Sequence, residues 1–291
     1  MRQRSDKIYQ SRTTVVCILL LLLVGSVSFA GCTSSSQPTQ GGAVTSPTLT
    51  QAQSRTPLVI YAAASLTGAS PVLKQAFETA NPKYEVTFDL DGTQMLTQKI
   101  EQGAKADVFL SASTKYTDRL KSGGYLDNST VKKFASNYII IILPASNPAK
   151  IESAADLSRD DIRIAMGTEE VPVGINTRQA IERMANASYG QSWKDGVFSN
   201  VVTFETTEPG VVTKVNLGEV DAGFVYESSY KAAKAGQLKG IVIPKDQNSL
   251  QTYTVGILNG SGEVAGASKF VEFLTTAEGQ EILADFGFAS A

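Results

Sequence analysis

A chain of 291 residues, 42% hydrophobic and 19% charged, is long enough for one large or two medium globular domains. Its net charge of −2, with no block of basic residues, argues against nucleic acid as a partner. It has no histidine, which removes His-based triads, His-ligated zinc and the usual acid–base group near neutral pH. Binding is therefore favoured over catalysis, and no enzyme activity is expected.

The N-terminus opens with Arg2, Arg4, Lys7 and Arg12, followed by an apolar run from Val15 to Val24 and then Ser28-Phe29-Ala30-Gly31-Cys32. A basic leader, a short apolar stretch and small residues describe a secretory signal over residues 1–31. The run is shorter than the roughly 20 apolar residues a membrane span needs. Cys32 sits where a lipoprotein signal places its lipidated cysteine, and the stretch resembles a lipobox, with Phe29 departing from the smaller or aliphatic residue usual there. A lipid anchor on Cys32 is expected; a plain secretory signal or an uncleaved anchor would equally place the body outside the cytoplasmic membrane. The other cysteine, Cys17, lies inside the leader, so the mature body carries no thiol for a disulfide or a thiolate metal site. Residues 32–56 are rich in Ser, Thr, Gln, Gly and Pro, with Arg55 as their one charge, and read as a flexible tether.

From Leu58 onward, strand-like and helix-like segments alternate. Leu58–Tyr61 is a short buried strand, Ser70–Thr79 a helix with Pro71 in its first turn, Tyr84–Leu90 a strand and Thr93–Gln102 a helix. Asp107–Leu110 is a strand and Thr114–Ser122 a helix stopped by Gly123-Gly124. Strands are then expected at Tyr138–Leu143, Ile162–Met166, Val201–Phe204, Ala222–Tyr226, Ile241–Ile243 and Tyr253–Leu258. Helices are expected at Thr177–Ala185, Pro209–Leu217, Val264–Leu274 and Ala277–Phe286. The alternation indicates an α/β protein with parallel sheets, and its two rounds fit two lobes better than one sheet. Ligands of such folds sit at the carboxyl ends of strands, against helix N-termini.

Five strand-to-helix junctions carry suitable chemistry. In Tyr61-Ala62-Ala63-Ala64-Ser65-Leu66-Thr67, small residues let the backbone approach a ligand, and Ser65 can either donate its hydroxyl to an oxyanion or simply cap the helix. Asp91-Gly92-Thr93-Gln94 repeats that logic with Thr93. Glu169–Ile175 precedes a helix expected after Asn176, and there Val173 has only its backbone N–H to offer. Thr207-Glu208-Pro209-Gly210 opens another helix. Tyr226 ends a strand, where a tyrosine serves either as a donor or as a packing residue.

Through Ala62–Thr67, Ile100–Ala112, Val171–Gly174 and Gly218–Tyr226, in this order and spacing, the chain resembles the molybdate-binding proteins of molybdate ABC transporters over residues 58–289. The resemblance implies a type II periplasmic-binding-protein fold of two α/β lobes, each a mostly parallel sheet flanked by helices. Lobe 1 falls on residues 57–138 and 246–291 and lobe 2 on residues 139–245, with hinge strands between them. It also implies an ABC permease as partner, molybdate or tungstate as ligand, and an oxyanion site at Ser65, Thr93, the N–H of Val173, position 208 and the phenol of Tyr226. Threonine replaces the family's usual serine at 93 and keeps the hydroxyl. Glu208 stands where the family commonly has a small aliphatic residue. A carboxylate facing a dianion is repelled by several kcal/mol at low dielectric, so the preferred reading turns Glu208 to solvent. The alternative brings its carboxylate onto the oxyanion or the metal at its centre, as in a related archaeal branch, although Val171 stands where that branch has an aspartate.

A site made only of donors suits a fully deprotonated dianion, and four to six charge-assisted bonds of roughly 1.5–3 kcal/mol each supply tight binding without an arginine clamp. No cofactor is expected, nor any metal beyond that of the oxyanion, and the protein is expected to act as a monomer. The alternatives are a same-fold binder of sulfate, phosphate or another anion, and a hydrolase using Ser65. The second lacks both the Gly-x-Ser-x-Gly elbow and a histidine to activate the hydroxyl.

Overall fold

The structure is a computed structural model that describes residues 54–290. The expected leader, the Cys32 anchor and nearly all of the tether lie outside those residues. Its first half runs β1 (Thr56–Ala63), α1 (Ser70–Ala80), β2 (Tyr84–Asp91), α2 (Thr93–Glu101), β3 (Val108–Ser111) and α3 (Thr114–Ser122). β1 pairs in parallel with β2, setting Leu58 beside Val86, and with β3, setting Ile60 beside Val108. α1 covers this sheet with Leu73 and Phe77, four apart on one face and both fully buried. Phe77 packs edge-on against Phe270 at 5.1 Å, a contact between α1 and the C-terminal helix α8 (Val264–Phe273). Burying such a ring contributes roughly 1.5–3 kcal/mol.

β4 (Lys132–Pro144) joins the two halves. Its residues 132–138 pair with β9 (Leu250–Ile257), and its residues 139–144 pair with β7 (Ala222–Tyr226) and β8 (Leu238–Val242), all antiparallel. The expected strand began only at Tyr138, because Lys132, Lys133, Ser136 and Asn137 break the apolar pattern that marks its second part. The second half contains β5 (Ile164–Gly167), α4 (Pro172–Met184), α5 (Gln191–Ser199), β6 (Val201–Glu205), α6 (Glu208–Asn216) and α7 (Glu227–Ala232), the last directly after β7. α9 (Ala277–Asp285) closes the chain. α5 and α7 were not anticipated, and α4 begins five residues before the expected Thr177.

The strands follow the order β2-β1-β3-β9-β4-β7-β5-β6, with β8 on β4. Two parallel triplets, β2-β1-β3 and β7-β5-β6, are thus bridged by antiparallel strands that belong to both halves. The carboxyl ends of all six parallel strands point to one place. Among the described residues no helix is long and apolar enough to cross a membrane.

Candidate functional site

A small cavity lies at those six strand ends. Ala63, Ala64 and Ser65 line it after β1, Gly92 and Thr93 after β2, and Ala112 after β3. From the other triplet come Val171, Pro172 and Val173 after β5, Glu208 after β6 and Tyr226 at the end of β7. All five expected ligand positions therefore share one cavity. Its volume is about 20 Å³, little more than a water needs. No lysine or arginine lines it. A wider cleft of about 560 Å³ over α1 is open surface, where Arg55 and Lys74 pair with Glu78.

Each hydroxyl of the cavity is tied to a second partner. Thr93 Oγ1 accepts the Ala112 N–H at 3.2 Å, which leaves its own proton free to donate. Tyr226 Oη accepts from Asn176 Nδ2 at 3.1 Å, with the same consequence. The Asn176 amide is oriented by donating to Pro172 O at 2.9 Å and accepting from Ser249 Oγ at 2.6 Å. Ser65 Oγ lies 2.9 Å from Tyr253 Oη, and if the phenol donates, the serine proton is free as well. Burial, then the fields of Tyr253 and Glu208, hold the Tyr226 phenol well above its usual range, and burial with Glu208 does the same to Tyr253. Both remain proton donors across the physiological range.

Backbone donors complete the wall. Thr93, Val173 and Glu208 each fall in the first turn of a helix, where an N–H has no acceptor within the helix and the dipole favours an anion. The early start of α4 matters here, because it places Val173 inside the helix instead of in a loop. Gly174 permits that start: a Cβ there would sit 2.0 Å from Thr168 O and 2.5 Å from Gly167 O, so only glycine lets α4 lie against the end of β5.

Glu208 corrects the preferred expectation. Its side chain does not turn to solvent but is 3% exposed and lines the cavity. Its Oε1 accepts the backbone N–H of Tyr226 at 2.7 Å, and this bond to the neighbouring strand turns the carboxyl inward. Its Oε2 is buried with no hydrogen-bond partner. Burial pushes the carboxyl up to about 7; the Tyr226 N–H and the Ser229 hydroxyl lower it less than burial raises it.

Four residues of this neighbourhood escaped the sequence. Tyr253 supports Ser65 from 188 positions away, and Asn176 supports Tyr226 from 50 positions away. Gln94 Nε2 donates to Thr206 O at 2.8 Å, from α2 on one wall to the loop before α6 on the other. Tyr116 of α3 likewise donates its phenol proton to Glu170 O in the loop before α4.

Two strand triplets that present hydroxyls and helix N-termini to one cavity are the arrangement of a two-lobed solute-binding protein. The chain belongs to the bacterial extracellular solute-binding protein family, whose model matches residues 58–289. It is 33% identical over 275 residues to the molybdate-binding protein ModA of Mycobacterium tuberculosis, covering 94% of this chain and 95% of that one. The periplasmic molybdate-binding protein of Azotobacter vinelandii superposes with a TM-score of 0.70 at 17% identity, over 80% of this chain and 99% of that one. The sulfate-binding protein SubI of Mycobacterium tuberculosis superposes with a TM-score of 0.69 at 18% identity, over 82% and 87% of the two chains. These likenesses show a two-lobed periplasmic-binding-protein fold, and the fold alone does not distinguish the anions.

Proposed function

We propose that this protein captures molybdate or tungstate outside the cytoplasmic membrane and delivers it to an ABC importer. The observation that carries the reading is the donor set. Ser65, Thr93 and Tyr226 offer hydroxyl protons, first-turn N–H groups stand beside them, and no cation lines the cavity. Tetrahedral dianions that carry no proton need donors alone. The 33% identity to the molybdate-binding protein of Mycobacterium tuberculosis points to the same ligand.

The two lobes, residues 57–138 with 246–291 and residues 139–245, close over the anion, and the cross-cavity bonds of Gln94 and Tyr116 belong to the closed arrangement. The reading includes a lipid anchor on Cys32, a monomeric binding protein that hands its cargo to a permease, no catalytic step and no resident cofactor. Ser65 as a nucleophile has no support in the cavity, since its partner is a phenol rather than a base.

One observation favours a second reading. The inward Oε2 of Glu208 can accept from a protonated oxyanion such as hydrogen phosphate. Thermal melting of the purified protein in a panel of anions separates the two readings. Molybdate and tungstate are expected to raise the melting temperature, with sulfate and phosphate giving little or nothing. Stabilisation by phosphate alone would establish the second reading, and equal stabilisation by sulfate would remove the molybdate assignment.

A further inference from the structure

We infer that Glu208 enters the liganded site as a carboxylic acid, so that each bound oxyanion dianion is captured together with one proton on Glu208 Oε2. The inference rests on the oxyanion reading above and concerns how that site recognises its ligand.

The argument begins with the carboxyl's two oxygens. Oε1 is committed to the Tyr226 N–H at 2.7 Å, whereas Oε2 is buried and has no partner. A buried polar atom without a partner is costly unless something else satisfies it. Glu208 lines the same cavity as Ser65, Thr93, Val173 and Tyr226, and the nearby Ser229 hydroxyl does not reach Oε2 in hydrogen-bond geometry, so the partner the cavity offers Oε2 is the ligand. The other polar side chains of the wall are hydroxyls, each able to present a proton. An ionised carboxylate would face the dianion charge to charge and without a hydrogen bond, whereas a carboxylic acid adds one more donor to the set. The acid keeps its Oε1 bond to Tyr226 unchanged, so protonation alters only the side that is free.

No charged group nearby opposes this. Of the elements packed on α6, β7 brings the Tyr226 phenol and β9 beyond it brings Tyr253, both neutral. β5 and the Ala64–Leu66 turn carry no titratable side chain. On β6, Glu205 accepts from Thr203 Oγ1 at 2.8 Å, and Lys214 of α6 pairs with Glu219 at 2.5 Å. Neither these nor Lys132, Lys133 and Tyr138 of β4, nor Glu227, Tyr230 and Lys231 of α7, are among the causes acting on Glu208. Burial is the leading cause and already brings the carboxyl to about 7 without a ligand. A bound dianion raises it further, and the proton comes from solvent: carboxylate, proton and dianion combine into an acid hydrogen-bonded to the intact anion.

Isothermal titration of the full chain with sodium molybdate, repeated in buffers of different ionisation enthalpy, counts the protons directly. The expected result is an uptake of about one proton per molybdate near pH 8.5, falling towards zero near pH 6, with Kd weakening about tenfold per pH unit above 7. Glu208→Gln keeps an acceptor for the Tyr226 N–H and places a permanent N–H donor at the position of Oε2. It is expected to bind molybdate with no proton uptake and with a Kd that is flat from pH 6 to 9. Molybdate binding by the wild-type protein with no proton uptake and a flat Kd would overturn the inference and leave the oxyanion reading intact. Proton uptake that persists in Glu208→Gln would overturn it too, by placing the proton elsewhere. Absence of molybdate binding at every pH, in a wild-type protein that melts cooperatively, would remove both.

Discussion

Just ahead of β3, Asp107 is buried with both oxygens satisfied, while at the cavity Glu208 is buried with one of its oxygens left over. Asp107 Oδ2 accepts the Val59 N–H at 2.8 Å, and its Oδ1 accepts from Ser261 Oγ at 2.8 Å, Gly262 N at 3.1 Å and Glu263 N at 3.2 Å. These bonds fasten β1 to the turn that precedes α8, two segments about 200 residues apart in sequence. Glu208 is buried to a similar degree, but only the Tyr226 N–H meets it in full hydrogen-bond geometry, with the Ser229 hydroxyl a weaker neighbour. The comparison teaches how to read a buried acid: one with both oxygens bonded is a structural clamp, and one with an oxygen left over in a cavity wall is a candidate to meet a ligand.

The largest effect that tests this contrast is expected at the clamp. Asp107→Ala would take the shared acceptor from four part-buried donors, one on β1 and three in the turn before α8, and is expected to cost about 3–5 kcal/mol of stability, with Asp107→Asn losing less. Urea unfolding measures the loss. Molybdate affinity of the protein that remains folded should not change, because Asp107 does not line the cavity. A large loss of affinity in the folded fraction would break the distinction between the two acids.

Glu208 should behave in the opposite way. Its folded value of about 7 lies above the ordinary carboxyl value of 4.5, so the fold prefers the protonated form. Stability from this group is fully present below about pH 4.5 and is lost as pH rises through about 7. The ligand-free protein is therefore expected to lose up to roughly 3 kcal/mol from this residue between pH 4.5 and 8. Glu208→Gln should abolish that slope and be more stable than wild type at pH 8. Chemical unfolding at the two ends of the range checks both statements, and a Glu208→Gln protein weaker at pH 8 would show that the ionised carboxylate is a stabilising element after all.

How much of this was legible in the sequence depends on how far apart the interacting residues lie. Junctions such as Ala63-Ala64-Ser65 and Asp91-Gly92-Thr93 are local: an apolar run, small residues and a hydroxyl stand within a few positions, so both the strand end and the donor could be read. The element order was legible for the same reason, because the parallel strands are short unbroken apolar runs. The first part of β4 was hidden, since it is held by pairing with β9 instead of by its own pattern. The inward turn of Glu208 is set by an N–H 18 residues away on a neighbouring strand, and a sequence reading that weighs only charge repulsion turns it outward. The supports at Tyr253 and Asn176 are more remote still, and neither carries a local signature.

The hydroxyls that share the cavity with Glu208 give the next effect. Ser65→Ala and Tyr226→Phe each remove a hydroxyl proton, and each is expected to cost about 1.5–3 kcal/mol of binding, roughly a 10- to 150-fold rise in Kd. In Tyr226→Phe the Asn176 amide keeps Pro172 O as acceptor, so the fold should tolerate the change. Titration with molybdate measures both variants. Unchanged affinity in both would remove the hydroxyl wall from the site and leave the backbone N–H groups as its only donors.

The smallest expected effect concerns the contact between the two walls. Gln94 Nε2 reaches Thr206 O at 2.8 Å, and a Cβ on the nearby Gly92 would lie at the same 2.8 Å from that oxygen, so the walls meet closely beside the cavity residues Thr93 and Glu208. One neutral hydrogen bond contributes about 0.5–1.5 kcal/mol, and this one exists only while the walls are together. Gln94→Ala should therefore leave molybdate association nearly unchanged and speed dissociation by a few-fold up to about tenfold. Stopped-flow measurement of both rates separates this outcome from a direct ligand contact, which would weaken binding as strongly as the loss of Ser65. The difference follows from position: Gln94 bonds from one wall to the other, whereas Ser65 lines the cavity itself.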